Sequence, residues 1–133
     1  TEQKPYFGWS VDLKGQHNVY DEPPGSLQLL PYYGFCAPDD EIWGNTVAMI
    51  RAPSYAYSFA DAPIAEIGCA HAPYPWILSL CNSLLCGYKE QAFRELEQME
   101  MDNGIACESV DPVLGTCTTG PRSQPAQDSC ATV

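Results

Sequence analysis

Positively charged residues are scarce in this sequence. Only 6 of its 133 residues are Lys or Arg, against 17 Asp and Glu, which gives a formal net charge of −11 and a pI of about 4.2. Phosphate backbones and anionic membranes repel such a chain, so nucleic acid is excluded as an expected partner. We also expect no membrane insertion, because the longest apolar stretch, residues 76–85, is too short and too polar to span a bilayer.

Several sequence motifs are also absent. The chain contains no Gly-x-Ser-x-Gly, phosphate-loop or dinucleotide-binding pattern, and none of its four Asn residues begins an N-glycan acceptor. It has no signal-peptide pattern and begins at Thr1, which fits a mature secreted protein and a shortened chain equally well. We therefore assign no catalytic residue, predict that the protein is not an enzyme, and predict no cofactor and no metal.

Cysteine, by contrast, is abundant and dispersed. The disulfide candidates are Cys36, Cys69, Cys81, Cys86, Cys107, Cys117 and Cys130. Seven cysteines allow at most three bridges within one chain and leave one thiol over. This usage predicts a secreted, extracellular protein stabilised by disulfides. We expect a single domain over residues 1–133, with a polar C-terminal tail at 118–133 that disulfides tie to the body.

Apolar periodicity predicts the regular elements. Alternation favours strands within 6–14, 54–60 and 65–70, and short apolar runs favour strands at 46–51 and 105–110. A three-to-four-residue repeat predicts one amphipathic helix over 83–101, which Asn103-Gly104 ends. Since Gly87 weakens its first turn, the helix could instead begin near Lys89. The predicted fold class is α+β: an antiparallel sheet with one amphipathic helix packed on one face and stapled by disulfides.

Two side-chain groups could carry chemistry. His71, Glu66 and Arg51 could form an acid–base site of a hydrolase or ribonuclease, if neighbouring strands bring them together. Cys69 and His71, with Cys81 and Cys86, offer four zinc ligands, although disulfides are the favoured use of these cysteines.

Aromatic residues in loop-rich segments are the candidate binding residues. We select Trp9, Tyr32, Tyr33 and Trp43, because such side chains anchor sugars and partner proteins well. Completion of a small core is the alternative role for aromatics of this kind.

The cysteine count, the acidic balance, the missing glycan acceptor and the lack of an enzyme motif together resemble the small secreted cysteine-rich effectors of plant-colonising filamentous fungi. The predicted helix on an antiparallel sheet is similar to the LARS group of avirulence effectors. The resemblance implies a virulence or avirulence effector that binds a host protein, either an immune receptor or a secreted target, in the host apoplast or after entry into host cells. The alternatives are a small secreted hydrolase or ribonuclease-like enzyme, and a carbohydrate-binding module. The sequence leaves the oligomeric state open.

Overall fold

The computed structural model of the protein describes residues 4–118. These residues form three α-helices, four two-residue strands and two turns of 3-10 helix at Pro23–Gly25 and Leu27–Leu29. The elements are, in chain order, β1 Ser10–Val11, β2 His17–Asn18, α1 Glu41–Ile50, α2 Ile77–Leu85, α3 Lys89–Leu96, β3 Met101–Asp102 and β4 Ile105–Ala106. The α+β class is confirmed at this coarse level.

Helix α1 occupies the segment for which a strand was predicted at residues 46–51. Its cap is Asp40, whose side chain accepts a hydrogen bond from the Trp43 backbone N–H at 2.9 Å. The helix buries one face, formed by Thr46, Val47 and Ile50. The strand prediction is wrong because it treated the last turns of an amphipathic helix as a separate apolar run.

The single helix predicted over 83–101 is two helices. Gly87 has a φ of +94°, a conformation open to Gly at little cost, and it separates α2 from α3. Helix α3 begins at Lys89, as the alternative start predicted. Asn82 and Ser83 are buried inside α2. Among residues 4–118, no helix is long and apolar enough to cross a membrane.

The strands form two separate antiparallel ribbons, β1 with β2 and β3 with β4. Asn103 and Gly104 both have positive φ and make the turn between β3 and β4, so this dipeptide closes a hairpin rather than a helix. The predicted strands at 54–60 and 65–70 meet in one antiparallel bridge, Ser58 with Ile67. The segment from 51 to 76 contains four prolines, which lack the N–H that a longer ladder requires. Residues 4–118 therefore do not form the single helix-covered sheet that the sequence predicted.

The core lies between the helices and these irregular segments. The main cluster packs α2 against α3 and comprises Ile64, Leu80, Ala92, Met99 and Val110. A second cluster packs the end of α1 against the bridged segments and comprises Ile50, Tyr55 and Ile67. The helices thus provide the frame that holds the long loops of the first half of the chain.

The cysteines pair less than expected. Cys107 and Cys117 lie at disulfide distance, with their Cα atoms 5.6 Å apart. The other cysteines of residues 4–118 are free thiols, namely Cys36, Cys69, Cys81 and Cys86. Cys130 and most of the predicted tail, residues 119–133, lie outside the described residues. Over residues 4–118, one bridge replaces the predicted disulfide framework.

Gly115 is a position where the fold requires glycine. Its φ is +70°, and a Cβ there would lie 1.9 Å from the Gln98 carbonyl oxygen. We expect Gly115→Ala to lower the free energy of unfolding by about 2 kcal/mol, because the left-handed conformation and the displaced carbonyl both cost energy. Gly44→Ala is the matched control. Gly44 is exposed in α1 with open space around it, so the same change there should stabilise the helix by up to about 1 kcal/mol. Urea denaturation of both variants measures the difference, and equal stabilities would contradict it.

Candidate functional site

The loop at residues 20–25 is fastened to the protein by a buried carboxylate. Asp21 is fully buried, and its two oxygens accept hydrogen bonds from Ser26 Oγ at 2.6 Å and from the Leu27 backbone N–H at 2.7 Å. The Asp21 N–H donates to the Tyr55 hydroxyl oxygen at 2.8 Å. Burial raises the pKa of Asp21, while the bond from Ser26 acts in the opposite direction. Asp21 therefore has a structural role, and it fixes the position of the next residue.

That next residue, Glu22, has its carboxylate at the surface. Its side chain is 30% exposed, and Tyr20 donates a hydrogen bond from its hydroxyl to Glu22 Oε2 at 3.2 Å. His71 Nδ1 lies 3.2 Å from the other oxygen, Oε1. Burial raises the pKa of Tyr20, so this hydroxyl remains a proton donor at neutral pH. Two prolines, Pro23 and Pro24, follow Glu22 and restrict the backbone. A surface carboxylate is thus held by one partner on each oxygen.

A tight turn brings Cys69 and His71 to this carboxylate. The Cys69 N–H donates to the Ala72 carbonyl at 3.1 Å, and the Ala70 N–H donates to the Tyr20 hydroxyl oxygen at 3.2 Å. Cys69 Sγ lies 3.3 Å from His71 Nδ1. Burial is the main cause that raises the pKa of the Cys69 thiol, and the charge of Glu22 adds to it. One donor atom each from Glu22, Cys69 and His71 lies within 4.8 Å of the other two. We call these three side chains together with Tyr20 the Glu22 cluster.

Two tryptophan rings contact the Glu22 cluster, one exposed and one buried. The Trp9 and Tyr20 rings meet edge to face with centroids 5.4 Å apart, and Trp9 remains 37% exposed. The His71 ring meets Trp76 in the same way at 5.1 Å. Apolar C–H faces of a sugar pack well on rings of this kind. The surface therefore offers a carboxylate for chemistry beside aromatic area for binding.

A second buried carboxylate, Glu66, has a different setting. It accepts hydrogen bonds of 2.5 Å from Ser79 Oγ and from Ser83 Oγ, and Arg51 Nη1 lies 3.7 Å from it. Burial raises the pKa of Glu66, and the Arg51 charge opposes this. The structure thus joins Arg51 and Glu66 in the interior, whereas His71 contacts Glu22. Within residues 4–118, no hydrogen bond or ion pair unites His71 with Arg51 or Glu66, which contradicts the hydrolase site proposed from the sequence.

Of the predicted aromatic binding residues, only Trp9 contacts a residue of the Glu22 cluster. Tyr32 and Tyr33 are exposed and contact each other, with ring centroids 5.5 Å apart. Trp43 lies in α1 and donates its indole N–H to the Gln28 carbonyl at 3.3 Å. Tyr32 and Trp43 line a separate surface pocket of about 470 Å³.

The predicted zinc ligands also separate. Cys69 and His71 do come together, but Cys81 is exposed on α2 and the Cys86 thiol donates to the Gln28 carbonyl at 3.1 Å. The residue that completes the group is Glu22, which was not among the candidate residues selected from the sequence. The sequence feature that could have identified Glu22 is the acidic pair Asp21-Glu22, directly before two prolines.

Comparison with known families gives a match. The model of a family described as "Metal-independent alpha-mannosidase (GH125)" matches residues 1–114, a range that contains the whole Glu22 cluster. No curated protein matches the chain significantly.

This match corrects the functional predictions. The prediction of an avirulence effector is wrong, and so is the prediction of no enzymatic activity, because the matching family consists of glycoside hydrolases. The predicted host-protein partner is also wrong, since such a family indicates a carbohydrate substrate. The hydrolase alternative fits this match better.

Proposed function

Because this chain belongs to the family of metal-independent alpha-mannosidases (GH125), we propose that it hydrolyses α-linked mannosides at the surface around Glu22. The observation that carries the proposal is the position of Glu22, which is partly exposed and held by Tyr20 and His71, and the Trp9 ring contacts the Tyr20 ring. A reacting carboxyl group must reach the substrate and must also keep a defined orientation. Glu22 meets both requirements.

The other acidic groups near this region fit the role less well. Asp21 is fully buried, and its oxygens are occupied by Ser26 and the Leu27 backbone. Glu66 is also fully buried and is held by two serine hydroxyls and Arg51. Neither carboxylate can approach a glycosidic bond without loss of the contacts that hold the fold.

Glycoside hydrolysis without a metal uses carboxyl groups for proton transfer and for charge stabilisation. One carboxyl group protonates the leaving oxygen, and another either activates a water molecule or attacks the anomeric carbon. We propose that Glu22 supplies one of the two. Tyr20 and His71 would orient its oxygens, and Trp9 would pack on a face of the sugar.

The second carboxyl group must lie at a defined distance. Retaining glycosidases place the two groups about 5–5.5 Å apart, and inverting ones about 6.5–9.5 Å. Glu22 hydrogen-bonds with Tyr20 and ion-pairs with His71, and neither of these side chains is a carboxylate. We therefore expect the second group across the bound sugar rather than in contact with Glu22. NMR can show whether the first product retains or inverts the anomeric configuration of the substrate. Retention would indicate the shorter separation between the two carboxyl groups, and inversion the longer one.

The activity itself is the first test. We expect the protein to release mannose from an aryl α-mannoside and from an α-linked mannose disaccharide, but not from the matched β-mannoside. The rate should be unchanged by EDTA, because carboxyl groups rather than a metal do the chemistry. No mannose release from either α-linked substrate, or a rate abolished by EDTA and restored by a divalent cation, would contradict the proposal.

Secretion and the organisation as a single domain stay predictions. The Cys107–Cys117 pair supports secretion, since disulfides persist in oxidising compartments.

A further inference from the structure

Three donor atoms of different chemistry converge at the surface of the protein. His71 Nδ1 lies 3.3 Å from Cys69 Sγ and 3.2 Å from Glu22 Oε1. A tetrahedral zinc ion holds sulfur at about 2.3 Å and nitrogen or oxygen at about 2.0–2.2 Å, so its ligand atoms lie about 3.3–3.6 Å from each other. These two separations are close to this spacing, and Cys69 Sγ lies within 4.8 Å of a Glu22 carboxylate oxygen.

We propose that Glu22, Cys69 and His71 form a binding site for one zinc ion, and that zinc bound there inhibits the enzyme. The ligand set of one thiolate, one imidazole and one carboxylate is chemistry that zinc accepts. The Cys69 thiol loses its proton to solvent when the ion binds, and the fourth position of the ion remains for water.

The surroundings of the three ligands favour binding. Tyr20 donates to Glu22 Oε2 and so leaves Oε1 directed towards His71, and hydrogen-bonded ligands of this kind bind metals more tightly. Cys69 is fixed by the turn that its N–H closes with Ala72. A Cβ at Gly68 would lie 2.7 Å from the Tyr74 carbonyl, which shows how closely the chain packs before Cys69. The three ligand side chains therefore need little rearrangement to bind the ion.

The site is also accessible. The His71 side chain is 59% exposed and Glu22 is 30% exposed, so an ion can enter from solvent, while Cys69 lies beneath them. No disulfide occupies Cys69, which is a free thiol. Cys69 differs in this respect from Cys107, whose sulfur is paired with Cys117.

Inhibition follows because zinc and the substrate would use the same carboxylate, that of Glu22. The inhibitory role therefore rests on the proposed function. Zinc bound to Glu22 Oε1 would remove the charge and the lone pair that glycoside hydrolysis requires. A metal-independent enzyme would thus carry a metal site whose occupation stops it. The ion would compete with substrate for the same atom.

The binding test uses Co²⁺ as a spectroscopic probe and Zn²⁺ as its competitor, with the reduced full chain. We expect one equivalent of Co²⁺ to produce the near-ultraviolet charge-transfer band of a thiolate–cobalt bond, and Zn²⁺ to abolish it. Cys69→Ser should remove the band, and His71→Gln should weaken Zn²⁺ binding at least about 100-fold.

The controls are Cys81→Ser, at an exposed thiol on α2, and His17→Gln, at a histidine that contacts Tyr6. Both controls should keep the band. A band that Cys69→Ser retains, or no band at all, overturns the site.

The activity test separates the site from the proposed function. Zn²⁺ should inhibit α-mannoside hydrolysis by the unaltered protein, EDTA should restore the rate, and Cys69→Ser should be at least about tenfold less sensitive to Zn²⁺. A cobalt band in a protein without mannosidase activity would support the metal site and contradict the proposed function. Activity that is insensitive to zinc while the band is present would contradict the inhibitory role.

Discussion

Replacing Glu22 with Gln is expected to lower kcat/KM for α-mannoside hydrolysis by about 10²–10⁴-fold, the usual loss when a positioned acid or base is removed. The amide has nearly the same shape and can still accept from Tyr20, so the loop should keep its conformation. Asp21, which fastens the loop, is untouched by the change. The loss should therefore appear in kcat and not in the free energy of unfolding. Steady-state kinetics together with urea denaturation measure the two quantities.

A small anion offers a sharper distinction between a reacting group and a merely structural one. Glu22→Ala leaves space at the surface, and we expect azide or formate to restore part of its activity by taking the place of the lost carboxylate. Glu90→Gln is the matched control, since Glu90 is an exposed acid in the first turn of α3 and should keep full activity. Glu22 variants with unchanged activity would contradict the role of this residue. An equal loss in Glu90→Gln would instead indicate a general effect of charge.

The parts of the fold that the sequence predicted are those set by local backbone chemistry. The start of α3 at Lys89 was predicted as an alternative, and it follows from the conformational freedom of Gly87; helix α2 before Gly87 was not predicted. Asn103-Gly104 was predicted to end a helix but makes the turn between β3 and β4, because these strands are too short for their pattern to distinguish a hairpin from a helix end. Helix α1 was missed because its apolar face is narrow and its end alone resembles a buried strand.

The candidate site was harder to predict because its parts come from distant positions. Tyr20 and Glu22 lie about 50 residues from His71 in the chain, and a tight turn at residues 69–72 makes the contact. His71 was selected from the sequence, but with Glu66, which the fold buries under two serines. Composition pointed to a disulfide framework, whereas Cys69 is a free thiol beside Glu22. No spacing rule identifies a lone carboxylate in a loop, so the function required the family match.

Removal of Arg51 is expected to have the largest effect on stability. Its guanidinium lies 3.7 Å from the buried Glu66 carboxylate and donates to Ser83 Oγ at 2.8 Å and to Gln28 Oε1 at 3.2 Å. We expect Arg51→Met to lower the free energy of unfolding by about 3–5 kcal/mol, because it leaves a buried charge without its partner while it keeps an apolar stem. Arg94→Met, at an exposed position on α3, should change it by less than about 1 kcal/mol. Chemical denaturation at neutral pH measures both.

The pH dependence of this loss shows whether the charge of Glu66 causes it. Burial already raises the pKa of Glu66 and Arg51 opposes the rise, so the pKa should be higher still in Arg51→Met. A carboxyl group whose pKa is raised in the folded state costs stability above that pKa, and the cost disappears as the pH falls towards the ordinary value of 4.5. The difference in free energy of unfolding between Arg51→Met and the unaltered protein should therefore become smaller from pH 7 to pH 5. The double variant with Glu66→Gln, which no longer buries a charge, should recover most of the loss at pH 7. A difference in free energy of unfolding that stays constant with pH and persists in the double variant would contradict this explanation. Lost packing, rather than the unpaired charge of Glu66, would then destabilise the protein.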